Sequence, residues 1–431
     1  MDWGWDNARA LIGIALIIGI AWAFSENRKA FPWKIALGAV GMQFAIALIL
    51  FGIPFIRDGF AQANGVVGAL EDAARAGTSF VFGYVGDNTL PKEPITPFTT
   101  ADGYTPPLFF FQILPIIIVV AALSAILWHW RILRWVTRGF AFVFRKTMGL
   151  SGATSLAVSA NVFMGMTEAP VLVKPYLKSM TRSELFILMT TGFATIAGSV
   201  LVVYSSMLEG VISNPLPQLL TASLIAAPAA VALALIMIPE TKAGEDRGEE
   251  PDFAYQSTMD AFATGASDGL KIVFNIATML IAALALLYLA NIGLGALPNV
   301  GGAALSIERV LGWVFSPLMY MIGVPMGEAA QSGSLMGVKT VLTEFVAFLQ
   351  LAGPEGAGLS QRTSMITAHA ICGFANFGSI GILIGGLSII EPERRTTFLE
   401  LAWKTLLAGT LATCMSGAIV GALPAELFFG S

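Results

Sequence analysis

Two carboxylates stand inside sequence apolar enough for a lipid bilayer, and any fold for this chain has to accommodate both. The first lies in Asn161 to Pro170, Asn-Val-Phe-Met-Gly-Met-Thr-Glu-Ala-Pro, and the second in Gly337 to Ala347, Gly-Val-Lys-Thr-Val-Leu-Thr-Glu-Phe-Val-Ala. A charge at membrane depth costs about 3 kcal/mol on insertion scales, so Glu168 and Glu344 are functional candidates by default. Each is followed by a helix with the same interruption. Gly192-Phe193-Ala194-Thr195-Ile196-Ala197-Gly198-Ser199 begins 24 residues after Glu168, and Gly373-Phe374-Ala375-Asn376-Phe377-Gly378-Ser379 begins 29 residues after Glu344. One structural unit is used twice.

Composition identifies the solvent. With 56% hydrophobic and 12% charged residues and a mean hydropathy of +0.75, the chain lies outside the range of soluble domains and reads as an integral membrane protein. Its length accommodates about eight to ten spans of roughly 20 residues. Cys372 and Cys414 fall in apolar segments without metal spacing and read as buried free thiols. Residues 10–24 read as a retained first span, because no basic region or cleavage site precedes them.

Taken in order, residues 1–106 form a scaffold of two spans, an interfacial helix over 57–84 and an external loop over 86–106 that is poor in Lys and Arg. The first repeat occupies 107–238: a span, an interfacial helix, a hairpin over 150–180, a broken helix over 183–208 and a further span. In its interfacial helix Arg131, Arg134, Arg138, Arg145 and Lys146 alternate with Trp135, Phe140, Phe142 and Phe144. Directly after a span, this pattern marks a membrane surface rather than a nucleic-acid partner. A cytoplasmic linker is expected over 239–269, with the next span opening at Lys271. The second repeat, 270–431, restates the order with a hairpin over 321–355 and a broken helix over 361–388. Basic flanks put the two hairpins on opposite sides and both termini outside, the pattern of an inverted repeat. The expected fold is therefore an all-α polytopic membrane protein, with about eight transmembrane helices, two re-entrant hairpins and interfacial helices.

Hairpin tips and broken helices meeting at the bilayer midplane expose unpaired N–H and C=O groups. The side chains supplied there are Thr167, Glu168, Thr195, Ser199, Thr343, Glu344, Asn376 and Ser379, with Phe163, Phe374 and Phe377 available for stacking. Two carboxylates among hydroxyls and amides favour a neutral, multiply hydroxylated solute over an anion.

At these residues the chain resembles the concentrative nucleoside transporter family in its bacterial form. The family's Gly-x-Thr-Glu-x-Pro motif stands as Gly165 to Pro170, its Gly-x-Lys-x3-Asn-Glu-Phe-Val-Ala motif as Gly337 to Ala347, and its Cys-Gly-Phe-Ala-Asn-x-x-Ser motif as Cys372 to Ser379. The resemblance implies a homotrimer whose mobile part carries nucleosides by symport with sodium, through alternating access. It assigns the nucleobase to Met166, Thr167, Glu168 and Val200, and the ribose to Glu344, Asn376 and Ser379 with Phe374 nearby. It assigns a sodium ion to Asn161, the backbone of Met164, Thr195 and the backbone of Ile196. Met166 and Thr343 depart from the family's usual Gln and Asn.

The resemblance also implies a multi-pass protein of the bacterial inner membrane, in contact with lipid. Proton coupling, with Glu168 or Glu344 as carrier, and another neutral polar solute are the alternatives. Glu168 and Glu344 could instead cap the broken helices. Lys339 could pair with Glu344 or Glu328, or snorkel to the outer face. An enzyme is not expected: the chain has no Gly-x-Gly-Asp, no His-Glu-x-x-His and no Ser with a nearby His.

Overall fold

A computed structural model of the chain describes residues 4–86, 108–240, 255–424 and 426–429. Most of the loop expected over 86–106, and residues 241–254 of the expected linker, lie outside the described residues. Among the described residues the structure is helical, with a single isolated bridge between Val300 and Ala303. Among the described residues, seven stretches are long and apolar enough to cross a membrane, and Phe377–Ile390 is a shorter apolar helix.

The chain opens with α1 (Trp5–Ala23), α2 (Trp33–Gly52) and the amphipathic α3 (Pro54–Phe82). After a π-helical turn at Phe109–Ile113, Pro115 allows no continuous ladder, and the span resumes as α4 (Ile116–His129). Arg131 turns the chain with a φ of 66° into α5 (Ile132–Met148), which exposes Trp135 and Phe142. The first hairpin is α6 (Gly152–Asn161), a turn, then the short α7 (Ala169–Leu172) and α8 (Lys174–Leu177). The first broken helix is α9 (Arg182–Ala194) and α10 (Gly198–Met207), and α11 (Pro215–Met237) completes the repeat.

The helix α12 (Thr258–Gly295) opens well before the expected Lys271. Ser257 caps it by accepting the Asp260 N–H, and its first turns are held by close packing on α4. A Cβ at Gly265 or Gly269 would lie 2.7 Å from Ala125 Cβ or Ile118 Cα, so small residues let the two backbones meet. The expected linker over 239–269 therefore ends in helix. The second repeat follows as α13 (Ile307–Met321), the hairpin α14 (Met326–Val341) and α15 (Glu344–Ala352), the broken helix α16 (Gln361–Ile371) and α17 (Phe377–Ile390), and α18 (Arg395–Ala422). A short α19 (Glu426–Phe429) ends the described chain.

Packing groups these elements around the two breaks. The broken helices lie against α11 and α18, while α1 packs on α18 and α2 on α11. The first two spans, placed by sequence in a scaffold with α3, thus sit against helices of the repeats. The pair α4 and α12 forms a separate contact, and α12 turns Phe262, Phe274, Ile281, Leu289 and Ile292 outward.

Each hairpin is clamped at its base by a carboxylate. In the first repeat Glu184 of α9 accepts from Ser151 Oγ (2.5 Å), Thr154 Oγ1 (3.1 Å) and Thr181 N–H (2.9 Å). In the second, Glu328 of α14 accepts from the Ser360 N–H (3.1 Å) and Oγ (2.9 Å). Ser151 and Ser360 are also the N-caps of α6 and α16, so helix starts and inter-element ties share the same atoms.

Candidate functional site

Non-helical backbone is tolerated at membrane depth only where protein or a wet cavity satisfies it. At the first tip, Glu168 turns back on its own hairpin, its Oε2 accepting the Gly165 N–H at 3.1 Å. The N–H it accepts lies in the turn of its own hairpin and not at a broken-helix N-terminus. The tip is sewn to the first helix break by backbone and hydroxyl groups. Gly198 N–H donates to Phe163 O (3.1 Å), and Thr195 Oγ1 donates to Asn161 O (2.7 Å) and Thr191 O (2.9 Å). From α11, Ser223 Oγ reaches Val162 O at 3.5 Å and accepts the Ile196 N–H at 3.4 Å.

Asn161 is buried within this joint. Its amide donates to Leu188 O at 3.4 Å, but among the described residues its Oδ1 has no hydrogen-bond partner. A buried acceptor left open calls for a donor or a cation. The Asn161 amide oxygen, the Thr195 hydroxyl and the Met164 and Ile196 carbonyls are hard oxygen ligands of the kind a small cation takes. Among the described residues, no group of three or more His, Cys, Asp or Glu side chains converges on a metal site. Uncharged oxygen donors of this kind fit an alkali cation better than a transition metal.

In the second repeat, Leu342 turns the hairpin and Thr343 caps α15, its hydroxyl accepting the Val346 N–H. Thr343 thus keeps the capping oxygen that an Asn would supply. Glu344 opens α15 and is bound on both oxygens: Tyr204 Oη donates to Oε1 at 2.8 Å, and Asn376 Nδ2 to Oε2 at 2.9 Å. Asn376 caps α17, its Oδ1 accepting the Ser379 N–H at 2.8 Å. Glu344, Asn376 and Ser379 thus form one polar run across hairpin tip and helix break.

This run opens on a cavity of about 480 Å³ that also takes in Met166, Thr343 and Phe374. That volume suits a small organic solute. The other walls are mainly apolar, from Met279, Leu286 and Leu287 of α12, Ile307 of α13 and Ile382 of α17. A molecule seated there meets acceptors and donors at one side and hydrocarbon at the other.

The cavity brings together Met166, Glu344, Phe374, Asn376 and Ser379 of the expected binding residues. It does not include Thr167, Glu168 or Val200. Thr167 faces α17, with its Cγ2 3.4 Å from where a Cβ would stand on Gly386, and Val200 is buried on α10. Asn161, Met164, Thr195 and Ile196 gather at the tip and break of the first repeat, adjoining the cavity through Met166, whose Cβ lies 2.9 Å from a Cβ built on Gly192. Sequence reasoning missed Tyr204 and Ser223. Tyr204 was detectable as the lone phenol one turn after Val200 in an apolar helix. Lys339 neither snorkels nor contacts Glu328: it is fully buried, and its Nζ donates to Thr413 Oγ1 at 3.3 Å.

Paired hairpins and interrupted helices around a polar pocket define a multi-pass membrane transporter. Family models agree on its cargo. Residues 12–85 and 218–421 match the N- and C-terminal models of the Na+ dependent nucleoside transporters, and 110–210 match a nucleoside recognition (gate) model. The chain is 33% identical to the nucleoside permease NupC of Helicobacter pylori, with 96% of each covered. It is 32% identical to sodium/nucleoside cotransporter 1 of Homo sapiens over 95% of this chain and 63% of that protein. Its structure matches that of CNTnw in an inward-facing, substrate-bound state with a TM-score of 0.86 at 36% identity, covering 98% and 99% of the two chains. A doubly substituted, outward-facing CNTnw matches with the same TM-score. The chain belongs to the concentrative nucleoside transporter family. It is a nucleoside transporter of that type, working between alternating states, and not an enzyme.

Proposed function

We propose that this transporter imports nucleosides by symport with sodium. The observation that carries this reading is the open Asn161 Oδ1, buried where hairpin tip and helix break meet. A cation held by Asn161, Thr195 and the Met164 and Ile196 carbonyls supplies positive charge at a joint that otherwise ends in acceptors. Fixing that joint orders the tip that carries Met166 into the cavity, so ion and solute favour the same arrangement. At the far side of the solute, Glu344 and Asn376 present an acceptor and a donor to the ribose hydroxyls. Glu344 has both oxygens already tied to the protein and receives the hydroxyls on its remaining lone pairs. The base lies toward Met166, Thr167, Glu168 and Val200, with Thr167, Glu168 and Val200 reached in another state of the cycle.

The expected setting is the bacterial inner membrane with both termini outside, supported by the basic residues that flank alternate loops. Assembly as a homotrimer is part of the same proposal, and the outward apolar face of α12 is open to lipid or to a second copy.

Purified protein in liposomes should accumulate labelled uridine or adenosine under an inward sodium gradient and not under choline. The Asn161→Ala variant should need about 10-fold more sodium for half-maximal uptake, the usual effect of losing a ligand-shell group. Uptake driven equally well by a proton gradient alone would move coupling to a carboxylate. Uptake indifferent to both gradients would sink the symport reading.

A further inference from the structure

The two repeats treat equivalent joints differently. In the first, the joint between hairpin tip and helix break ends in an unpartnered buried acceptor, Asn161 Oδ1. In the second, the hairpin supplies a cation of its own. Lys339 stands four residues before Thr343, as Phe163 stands four before Thr167, and Phe163 is the residue whose carbonyl takes the Gly198 N–H of the first break. The fully buried Lys339 side chain donates to Thr413 Oγ1 on α18. Thr413 in turn abuts the second break, its Cγ2 2.6 Å from a Cβ built on Gly373. Thr413 thus meets the second break through its methyl and the hairpin through its hydroxyl, where Ser223 of α11 hydrogen-bonds both tip and break in the first repeat.

An ammonium has three donors, and Thr413 takes one. A buried cation is retained where a carboxylate and local acceptors offset its desolvation. Glu344 stands five residues on, at the same hairpin tip, with its two oxygens held by Tyr204 and Asn376. Each half therefore combines one tip carboxylate with one cation position.

We infer that Lys339 is a tethered counterpart of the coupling ion: its ammonium occupies, in the second repeat, the place that the first repeat leaves to an exchangeable cation. The inference rests on the sodium reading above. It makes the transporter asymmetric in ion use, with one exchangeable cation for two equivalent joints, and it gives Lys339 a positioning role behind Glu344 rather than contact with solute.

The test counts ions through stability rather than transport. Detergent-purified protein is titrated with sodium at saturating uridine, and the unfolding temperature is followed. Wild type should respond with a Hill coefficient near 1, and Lys339→Ser, which removes the tethered charge and leaves room, should respond near 2 with its midpoint at higher sodium. A folded Lys339→Ser protein with the wild-type curve would overturn the inference, as would a wild-type coefficient near 2. Should Lys339→Ser fail to fold, the wild-type count decides alone, one ion supporting the inference and two overturning it. No response of wild type to sodium at all would bring down the symport reading, and this inference with it.

Discussion

At the scale of single residues, the site shows polar atoms serving structure and recognition together. Asn376 caps α17 with its oxygen and binds Glu344 with its amide, so one side chain both starts a helix and orients the carboxylate beside the cavity. Thr343 caps α15 and also lines the cavity. Replacing it with Val removes the cap and should lower stability by about 1 kcal/mol. Replacing it with Asn should leave stability near wild type, because an equivalent oxygen remains. Thermal unfolding in detergent separates the two, and equal losses in both variants would show that the hydroxyl matters for some reason other than capping. Glu344 illustrates the limit of reading residues singly. Its partner Tyr204 lies on the other repeat, stacked on Phe348 with ring centroids 4.5 Å apart.

At the scale of elements, the two broken helices meet back to back. A Cβ on Gly373 would lie 2.8 Å from Phe193 O and 2.9 Å from Ala194 O, the last residues of α9. That approach between the breaks requires glycine. Gly373→Ala should therefore cost about 1 to 3 kcal/mol through overpacking and reduce uptake by separating the breaks. Gly385→Ala, on the same broken helix with nothing within 4 Å of its Cβ position, should be tolerated. Equal unfolding temperatures and equal uptake for the two variants would contradict this account of the crossing. The matched clamps of Glu184 and Glu328 at the hairpin bases fit the same picture, in which each hairpin is fastened to its broken helix away from the tip.

For the whole molecule, distant parts of the chain are joined at one end by an ion-pair network. Glu26, between α1 and α2, lies 2.7 Å from Lys404 and 3.0 Å from Arg182, and Arg182 lies 2.7 Å from Glu400. Partial burial pushes the Glu26 carboxyl up, and hydrogen bonds from Lys404 and Arg182 more than offset this, holding it below the usual value. A lowered folded value stabilises the fold fully above the unfolded carboxyl pKa, about 4.3, and the contribution is lost as pH falls through the folded value. The unfolding temperature should therefore drop on acidification below that point. Glu26→Gln should be less stable at neutral pH and lose less on acidification. Parallel pH curves for the two proteins would rule Glu26 out as a contributor.

Much of this architecture was legible because it is written in local chemistry. Alternating apolar runs and basic flanks marked the spans, and the repeated Thr-Glu and Gly-Phe-Ala signatures marked tips and breaks. The hydroxyl and amide residues that cap the helices stand at those boundaries in plain order. The start of α12 at Thr258, ahead of the expected Lys271, is not legible in local hydropathy, because its early turns pack closely on α4. The roles of the charged groups were decided by tertiary structure. Two Thr-Glu pairs that look alike in sequence diverge in the fold: Glu168 folds back on Gly165, while Glu344 faces the cavity between donors from Tyr204 and Asn376. Lys339 likewise became intelligible only once Thr413 was seen beside the second break. The physical reason is that sequence determines which groups must be satisfied at membrane depth. Which distant partner satisfies each one depends on how the two repeats pack against each other.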